Sequence, residues 1–142
     1  MSWRVGETTV KKHLSVVGAV IVRDGSILCA QRGLTSALPG MWEFPGGKIE
    51  KGESPRGALE REIVEELRCR VRVHEVVTST THEYDFGIVE LTTFYCELIE
   101  GMPELSEHEA IAWLSPADLR TLDWAPADVP AVELIQQKYT AL

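Results

Sequence analysis

The sequence predicts an α/β sandwich built on a mixed β-sheet, and three observations carry that expectation. Runs of β-branched and aromatic residues of strand length recur along the chain. An amphipathic helical stretch interrupts them over residues 54–67, and a second helical segment lies near the end. Strand-rich segments with two or three helices between them fit helices layered on a sheet.

The first strand signal is Leu14 to Val22, followed by Asp24-Gly25 and then Ile27 to Ala30. Asp-Gly between two apolar runs marks a hairpin, because both turn positions tolerate positive φ. Gly and Pro punctuate residues 33–47, with a short Trp42-Glu43-Phe44 strand inside. Ser54-Pro55 reads as the N-cap and first position of a helix. Leu59, Ile63 and Leu67 follow at spacing four and form one apolar stripe. Val71, Val73 and Val77 then flank polar residues in a β pattern, and Ile88 to Ile99 forms the next strand, with Gly87 expected at the turn between them. A loop from Glu100 to Glu109 leads into a short strand, Ala110 to Leu114. Ser115-Pro116 opens a helical turn, and a last helix runs from about Pro130 to Tyr139.

At 142 residues the chain is sized for one domain, 1–142, and needs no disulfide or metal staple to fold. The 22 acidic residues outnumber 14 Lys and Arg, for a net charge of -8. That balance argues against a nucleic-acid backbone or an anionic membrane as partner. It is compatible with a polyphosphate substrate, since a divalent metal inverts the local sign. Cys29, Cys69 and Cys96 form no CxxC pair, which removes zinc ribbons and redox dithiols and favours a reduced, cytoplasmic setting. Arg4, Lys11, Lys12 and His13 accompany no apolar core long enough for a signal peptide. The longest apolar-rich stretch, Val16 to Val22, is far short of the ~20 residues of a membrane span.

The informative segment is 46–67, GGKIEKGESPRGALEREIVEEL. With Leu59 as origin, Ile63 and Leu67 fall at roughly 40° and 80° on the helical wheel. Glu65, Glu62 and Glu66 fall at roughly 240°, 300° and 340°, so three carboxylates crowd one arc beside the buried stripe. Glu60 points elsewhere, toward solvent. Like charges at i,i+4 oppose each other, and carboxylates late in a helix oppose its dipole. A cation at that arc resolves both conflicts, and oxygen-only ligands suit Mg²⁺ or Mn²⁺. A solvated acidic face countered by Arg61 and Arg68 is the plain alternative. Gly46-Gly47 lets the preceding backbone approach closely.

The pattern Gly47, five residues, Glu53, seven residues, Arg61-Glu62-Ile63, one residue, Glu65-Glu66 resembles the signature of the Nudix hydrolases, the MutT family. Arg68 departs from it, standing where a helix-ending glycine is usual, and Cys69 replaces an aliphatic residue. Ala30-Gln31-Arg32, Trp42 to Gly46, Glu107 to Ala110, Trp113 to Pro116 and Ala125 to Pro130 extend the resemblance, which spans about Ser15 to Leu134. They are similar to segments of the small bacterial CTP and modified-dNTP pyrophosphohydrolases.

The resemblance implies the Nudix α/β/α sandwich and hydrolysis of a nucleoside triphosphate to a monophosphate and pyrophosphate. It implies Mg²⁺, with Mn²⁺ as a substitute, held by Glu62, Glu65, Glu66 and the Gly46 carbonyl, with Glu107 assisting. Glu62 is favoured over Glu107 as general base. Arg61 would orient the carboxylates and Glu53 would join its network. Arg32 and Lys48 are candidates for phosphate contacts, and Glu43, Phe44, Pro45 and Gly46 for the substrate-binding loop. Asp128 is the candidate base reader: as an aspartate it accepts from cytosine N4, or when protonated donates to a carbonyl, and it can also cap the helix that follows. The expected substrate is a cytosine-type nucleotide, CTP or 5-methyl-dCTP, with 8-oxo-dGTP the competitor. Phe44 and Trp124 are candidates to stack on the base; His82 and His108 read as structural. A catalytically idle recognition domain would be expected to lose box carboxylates, and all remain here. An RNA 5′-end pyrophosphohydrolase would want a basic groove. The expected partner is the nucleotide alone, without nucleic acid or membrane, and the enzyme a monomer or homodimer.

Overall fold

The protein is described by a computed structural model covering residues 11–140; Arg4 and the outermost ends of the expected 1–142 domain lie outside the described residues. Its centre is strand β1 (His13–Arg23), which turns into β2 (Ser26–Gln31). Asp24 and Gly25 take φ of 50° and 79°, the left-handed pair that the Asp-Gly turn requires. Then come β3 (Trp42–Glu43), β4 (Gly46–Lys48), helix α1 (Pro55–Leu67), β5 (Arg70–Tyr84), β6 (Gly87–Glu100) and β7 (Ala110–Leu114). Two 3₁₀ turns, Pro116–Thr121 and Pro126–Asp128, precede helix α2 (Val129–Thr140).

The seven strands form one mixed sheet in the order β3-β2-β1-β6-β5, with β4 also on β1 and β7 on β2. Strand β1 runs parallel to β6 and antiparallel to β2 and β4. Its side chains alternate between two cores. Val17, Ala19 and Ile21 pack with Ala58, Leu59, Ile63 and Leu67 of α1. Val20 packs on the other face with Ala131, Val132 and Ile135 of α2. The sandwich expected from the sequence is therefore present: helix, sheet, helix. Leu59, Ile63 and Leu67 are fully buried, as their stripe predicts, each contributing about 1.5–3 kcal/mol of apolar burial. Cys29, Cys69 and Cys96 are free and buried in these layers, and burial raises their thiols to about 12, 11 and 12. No described helix is long and apolar enough to cross a membrane.

Two local expectations need correction, and one departure from the family pattern leaves the helix exit unchanged. The β5–β6 turn is made by Asp85 and Phe86; Gly87 is the first residue of β6. A side chain at Gly87 would meet the Lys12 carbonyl, 2.7 Å from its Cβ, so glycine serves a close approach there. The Gly46–Lys48 segment is a strand rather than a loop, stitched to Val16, Val17 and Gly18. Finally, Arg68 keeps the helix exit that glycine would give: it adopts φ 57°, ψ 33°, and its N–H donates to the Val64 carbonyl.

A left-handed non-glycine residue costs roughly 1–2 kcal/mol, partly offset by the greater unfolded-state freedom of glycine. Arg68→Gly should raise stability by about 0.5–1 kcal/mol and Tm by about 2–4 °C. Thermal denaturation checks this; an unchanged or lower Tm would mean that the Arg68 side chain holds the helix end in another way.

Candidate active site

The site grows from the N-terminus of α1. Ser54 caps the helix by accepting the Gly57 N–H at 3.1 Å, with Pro55 at its start. This fixes the loop before it, where Glu53 accepts the Glu50 N–H at 2.9 Å. Arg61, two turns along, is the hub. Its guanidinium grips Glu53 through two bonds of 2.6 and 2.9 Å. It also donates to Glu62 at 3.3 Å, Glu65 at 3.2 Å and the Lys48 carbonyl at 3.2 Å. Planar, forked donors suit this many-handed role. The Arg61 hydrogen bond, with help from the Glu50 N–H, holds Glu53 down at about 2. The same contacts raise Arg61 above its ordinary value.

Gly47 exists for Glu62. A Cβ at position 47 would lie 2.3 Å from the Glu62 carboxyl carbon, so only glycine leaves the carboxylate its place against β4. A Cβ at Gly46 would strike the Val17 carbonyl at 1.9 Å, because β4 crosses β1 that closely. Burial raises Glu62, with Arg61 opposing. Glu66, one turn on, is raised to about 7, first by burial and then by the charges of Glu43, Glu62 and Glu107, with His108 opposing. Its Oε1 is buried with no hydrogen-bond partner. Glu65 is turned outward, its side chain 59% exposed.

Beside Glu66 opens a cavity of about 370 Å³. Gly46, Gly47 and Lys48 of β4 line it, together with Arg32, Glu43, Phe44 and Asp128. Glu43 is clamped, accepting from Arg32 at 2.7 Å and pairing with His108 Nε2 at 2.9 Å. Burial disfavours the His108 imidazolium, but Glu43 outweighs it and leaves His108 raised. Asp128 is 5% exposed, and its Oδ1 accepts the Phe44 N–H at 3.2 Å. The carboxyl therefore reaches to the β3–β4 connection instead of capping α2. Burial, reinforced by the charge of Glu43, pushes Asp128 well above the usual carboxylate range.

The structure sorts the sequence candidates. Arg32, Glu43, Phe44, Gly46, Lys48, Glu66 and Asp128 meet in one cavity. Glu53, Arg61, Glu62 and Glu65 form the adjoining network behind it. Pro45 is buried between them, its carbonyl accepting the Ala19 N–H at 2.7 Å. Glu107 is exposed on the 101–109 loop, near enough for its charge to act on Glu66. Trp124 does not line the cavity; it packs on Phe44 at 4.7 Å between ring centres and donates to the Leu119 carbonyl.

Two lining aromatics escaped the sequence reading. Tyr84 and Phe86 at the β5–β6 hairpin stack at 4.9 Å with planes 7° apart. Tyr84 Oη accepts the Ala127 N–H at 2.8 Å, tying the hairpin to the turn that carries Asp128. Tyr84 ends β5 and Phe86 lies in the turn after it, so no local periodicity tells that the two meet a cavity.

Among the described residues, no group of three or more His, Cys, Asp or Glu side chains is already arranged to hold a metal ion. The donor chemistry nevertheless fits one. Glu66 has a buried oxygen lacking a partner, and Glu62 beside it is raised by burial; a cation would relieve both. Mg²⁺ commonly takes one or two carboxylates and completes its shell with water and substrate phosphates.

A helix bearing a carboxylate network thus lies beside a cavity that gathers Arg32, Glu43, Lys48, Glu66 and Asp128, on a mixed sheet between two helical layers. Residues 11–135 match the NUDIX domain model, and the chain belongs to the Nudix hydrolase family. It is 43% identical over 122 residues to the CTP pyrophosphohydrolase of Escherichia coli K12, covering 86% of this chain and 90% of that protein. It is 39% identical to the putative 8-oxo-dGTP diphosphatase 2 of Mycobacterium tuberculosis H37Rv, covering 80% and 81%. The solution structure of a MutT Nudix hydrolase from methicillin-resistant Staphylococcus aureus superposes with a TM-score of 0.76 at 54% identity, covering 91% and 99%. The protein is thus an enzyme of the nucleoside triphosphate pyrophosphohydrolase kind, and such hydrolases act on nucleotides and generally use a divalent metal.

Proposed function

We propose that the protein is a Mg²⁺-dependent nucleoside triphosphate pyrophosphohydrolase that prefers cytosine-type nucleotides such as CTP or 5-methyl-dCTP. One observation carries this reading: a single cavity joins Gly46, Gly47 and Glu66 of the carboxylate segment to the buried carboxyl of Asp128. Glu62, Glu65 and Glu66, with the Gly46 carbonyl and Glu107, would hold the ion, and Mn²⁺ would substitute. When bound, it neutralises triphosphate charge and acidifies water. Glu62 accepts the proton of the attacking water, held in place by Gly47 and Arg61. Lys48 contributes positive charge at the cavity wall, and Arg32 lines the same cavity with its charge balanced by Glu43. Water adds to phosphorus, pyrophosphate leaves, and the nucleoside monophosphate remains.

Asp128 supports the cytosine preference. A protonated carboxyl offers one donor and one acceptor, matching N3 and the N4 amine of cytosine; an ionised one accepts from N4 alone. Asp128→Ala should lower kcat/KM for CTP by about 10- to 100-fold. Asp128→Asn, which mimics the protonated form, should retain most of it. Pyrophosphate release from CTP, dCTP, 5-methyl-dCTP, dGTP, 8-oxo-dGTP and ATP is the test. A dominant 8-oxo-dGTP rate would replace the cytosine reading with the second one, which the name of the Mycobacterium relative favours.

A further inference from the structure

Helix α1 ends without neighbours of its own to bond its last carbonyls, a shortage common to all helix C-termini. Here the 101–109 loop supplies them. The Ser106 hydroxyl donates to the Glu66 carbonyl, and the Glu104 N–H donates to the Leu67 carbonyl at 2.8 Å. Two residues beyond Ser106, His108 is buried and its Nε2 pairs with Glu43 at 2.9 Å. The Glu109 N–H then donates to the Gln31 carbonyl at 2.8 Å. The loop is pinned on both sides of Glu107: to the helix that carries Glu62, Glu65 and Glu66, and to the strand that carries Glu43. Glu107 itself is exposed and makes no such bond, but it stands next to Ser106, which is bonded to the Glu66 carbonyl.

We infer that Ser106 and His108 are positioning residues, whose bonds to the Glu66 carbonyl and to Glu43 hold Glu107 toward the carboxylates of α1. The anchors act through Glu107, so their worth depends on its presence. This rests on the metal-dependent reading above, in which Glu107 assists the ion.

The test is a double-mutant cycle on the full chain, with two readouts. Mn²⁺ binding is followed by electron paramagnetic resonance without substrate, and kcat and KM are measured for CTP, or for the preferred triphosphate of the panel. Ser106→Ala should weaken Mn²⁺ binding and lower kcat by about 10- to 100-fold, the scale on which partners of metal ligands act. It should leave KM within about twofold. In a Glu107→Gln background the same Ser106→Ala change should do nothing further. Exchange of the Glu104 amide in the metal-free protein should quicken in Ser106→Ala, and Ser106→Thr, which keeps the hydroxyl, should restore it and the activity. Equal losses from Ser106→Ala in both backgrounds, or no loss in either, would overturn the inference. Absence of turnover by the unmutated protein on every triphosphate would instead overturn the functional reading, while the Mn²⁺ cycle still decides the positioning.

Discussion

Glu66→Gln is expected to cut kcat by about 10²–10³-fold, the range lost when a preorganised electrostatic group is removed from a reacting centre. The fold should survive, because glutamine keeps the shape and Leu67 beside it keeps the core. The metal-free variant should even be more stable above neutrality. Glu66 is raised to about 7 from an ordinary value of 4.5, so the folded state favours its protonated form. Its contribution is full below about pH 4.5, declines as the pH rises, and is gone once the pH passes about 7. The ionised carboxylate then costs about 3 kcal/mol, which glutamine removes. Urea unfolding between pH 4 and 9 with a chelator should show a falling limb in the parent and a flatter profile in Glu66→Gln. Near-parental turnover with unchanged Mg²⁺ dependence would exclude Glu66 from the metal set.

The second large effect belongs to Arg61. Arg61→Ala removes one guanidinium from Glu53, Glu62 and Glu65 together, leaving three carboxylates without their shared counter-charge. Activity should fall by about 10- to 100-fold, as it does when partners that orient metal ligands are lost. Arg61→Lys should recover only part, since a single ammonium cannot hold Glu53 at two points while reaching Glu62 and Glu65. The acid response gives an independent check. Glu53 is depressed to about 2, so its stabilising pairing is complete above about pH 4.5 and lost as the pH falls through 2. Tm measured from pH 2 to 6 should therefore lose steepness on the acid side in Arg61→Ala. An unchanged acid limb would show that Glu53 draws its low pKa from elsewhere.

How far the chain could be read in advance follows contact range. Leu59, Ile63 and Leu67 are legible because a helix converts spacing into a face; the same spacing places Glu62 and Glu66 near one another, while Glu65 turns outward. Asp24-Gly25 was legible because a hairpin turn is decided by its own two residues. Tyr84 was not: its role depends on Ala127, 43 residues away. His108 reads as structural from sequence, and it does hold structure, but the thing held is Glu43, 65 residues off. The cap that local rules allow Asp128 beside its reading as base contact is absent, and the connection after β3, 84 residues distant, holds its oxygen instead. The Gly46-Gly47 pair announced a close approach without announcing what approached; the neighbours are the Val17 carbonyl and the Glu62 carboxylate.

The pairing of β4 with β1 divides the molecule's labour. The carboxylate segment is sewn to the strand that both cores share, so its backbone is tied to the centre of the domain. The opposite half of the cavity hangs on Leu38 in the long β2–β3 connection, on a two-residue hairpin tip and on a 3₁₀ turn. Connections of that kind accept substitution far more readily than the strands they join. Relatives sharing about two-fifths of their residues with this chain can accordingly carry names as different as CTP pyrophosphohydrolase and putative 8-oxo-dGTP diphosphatase on one scaffold.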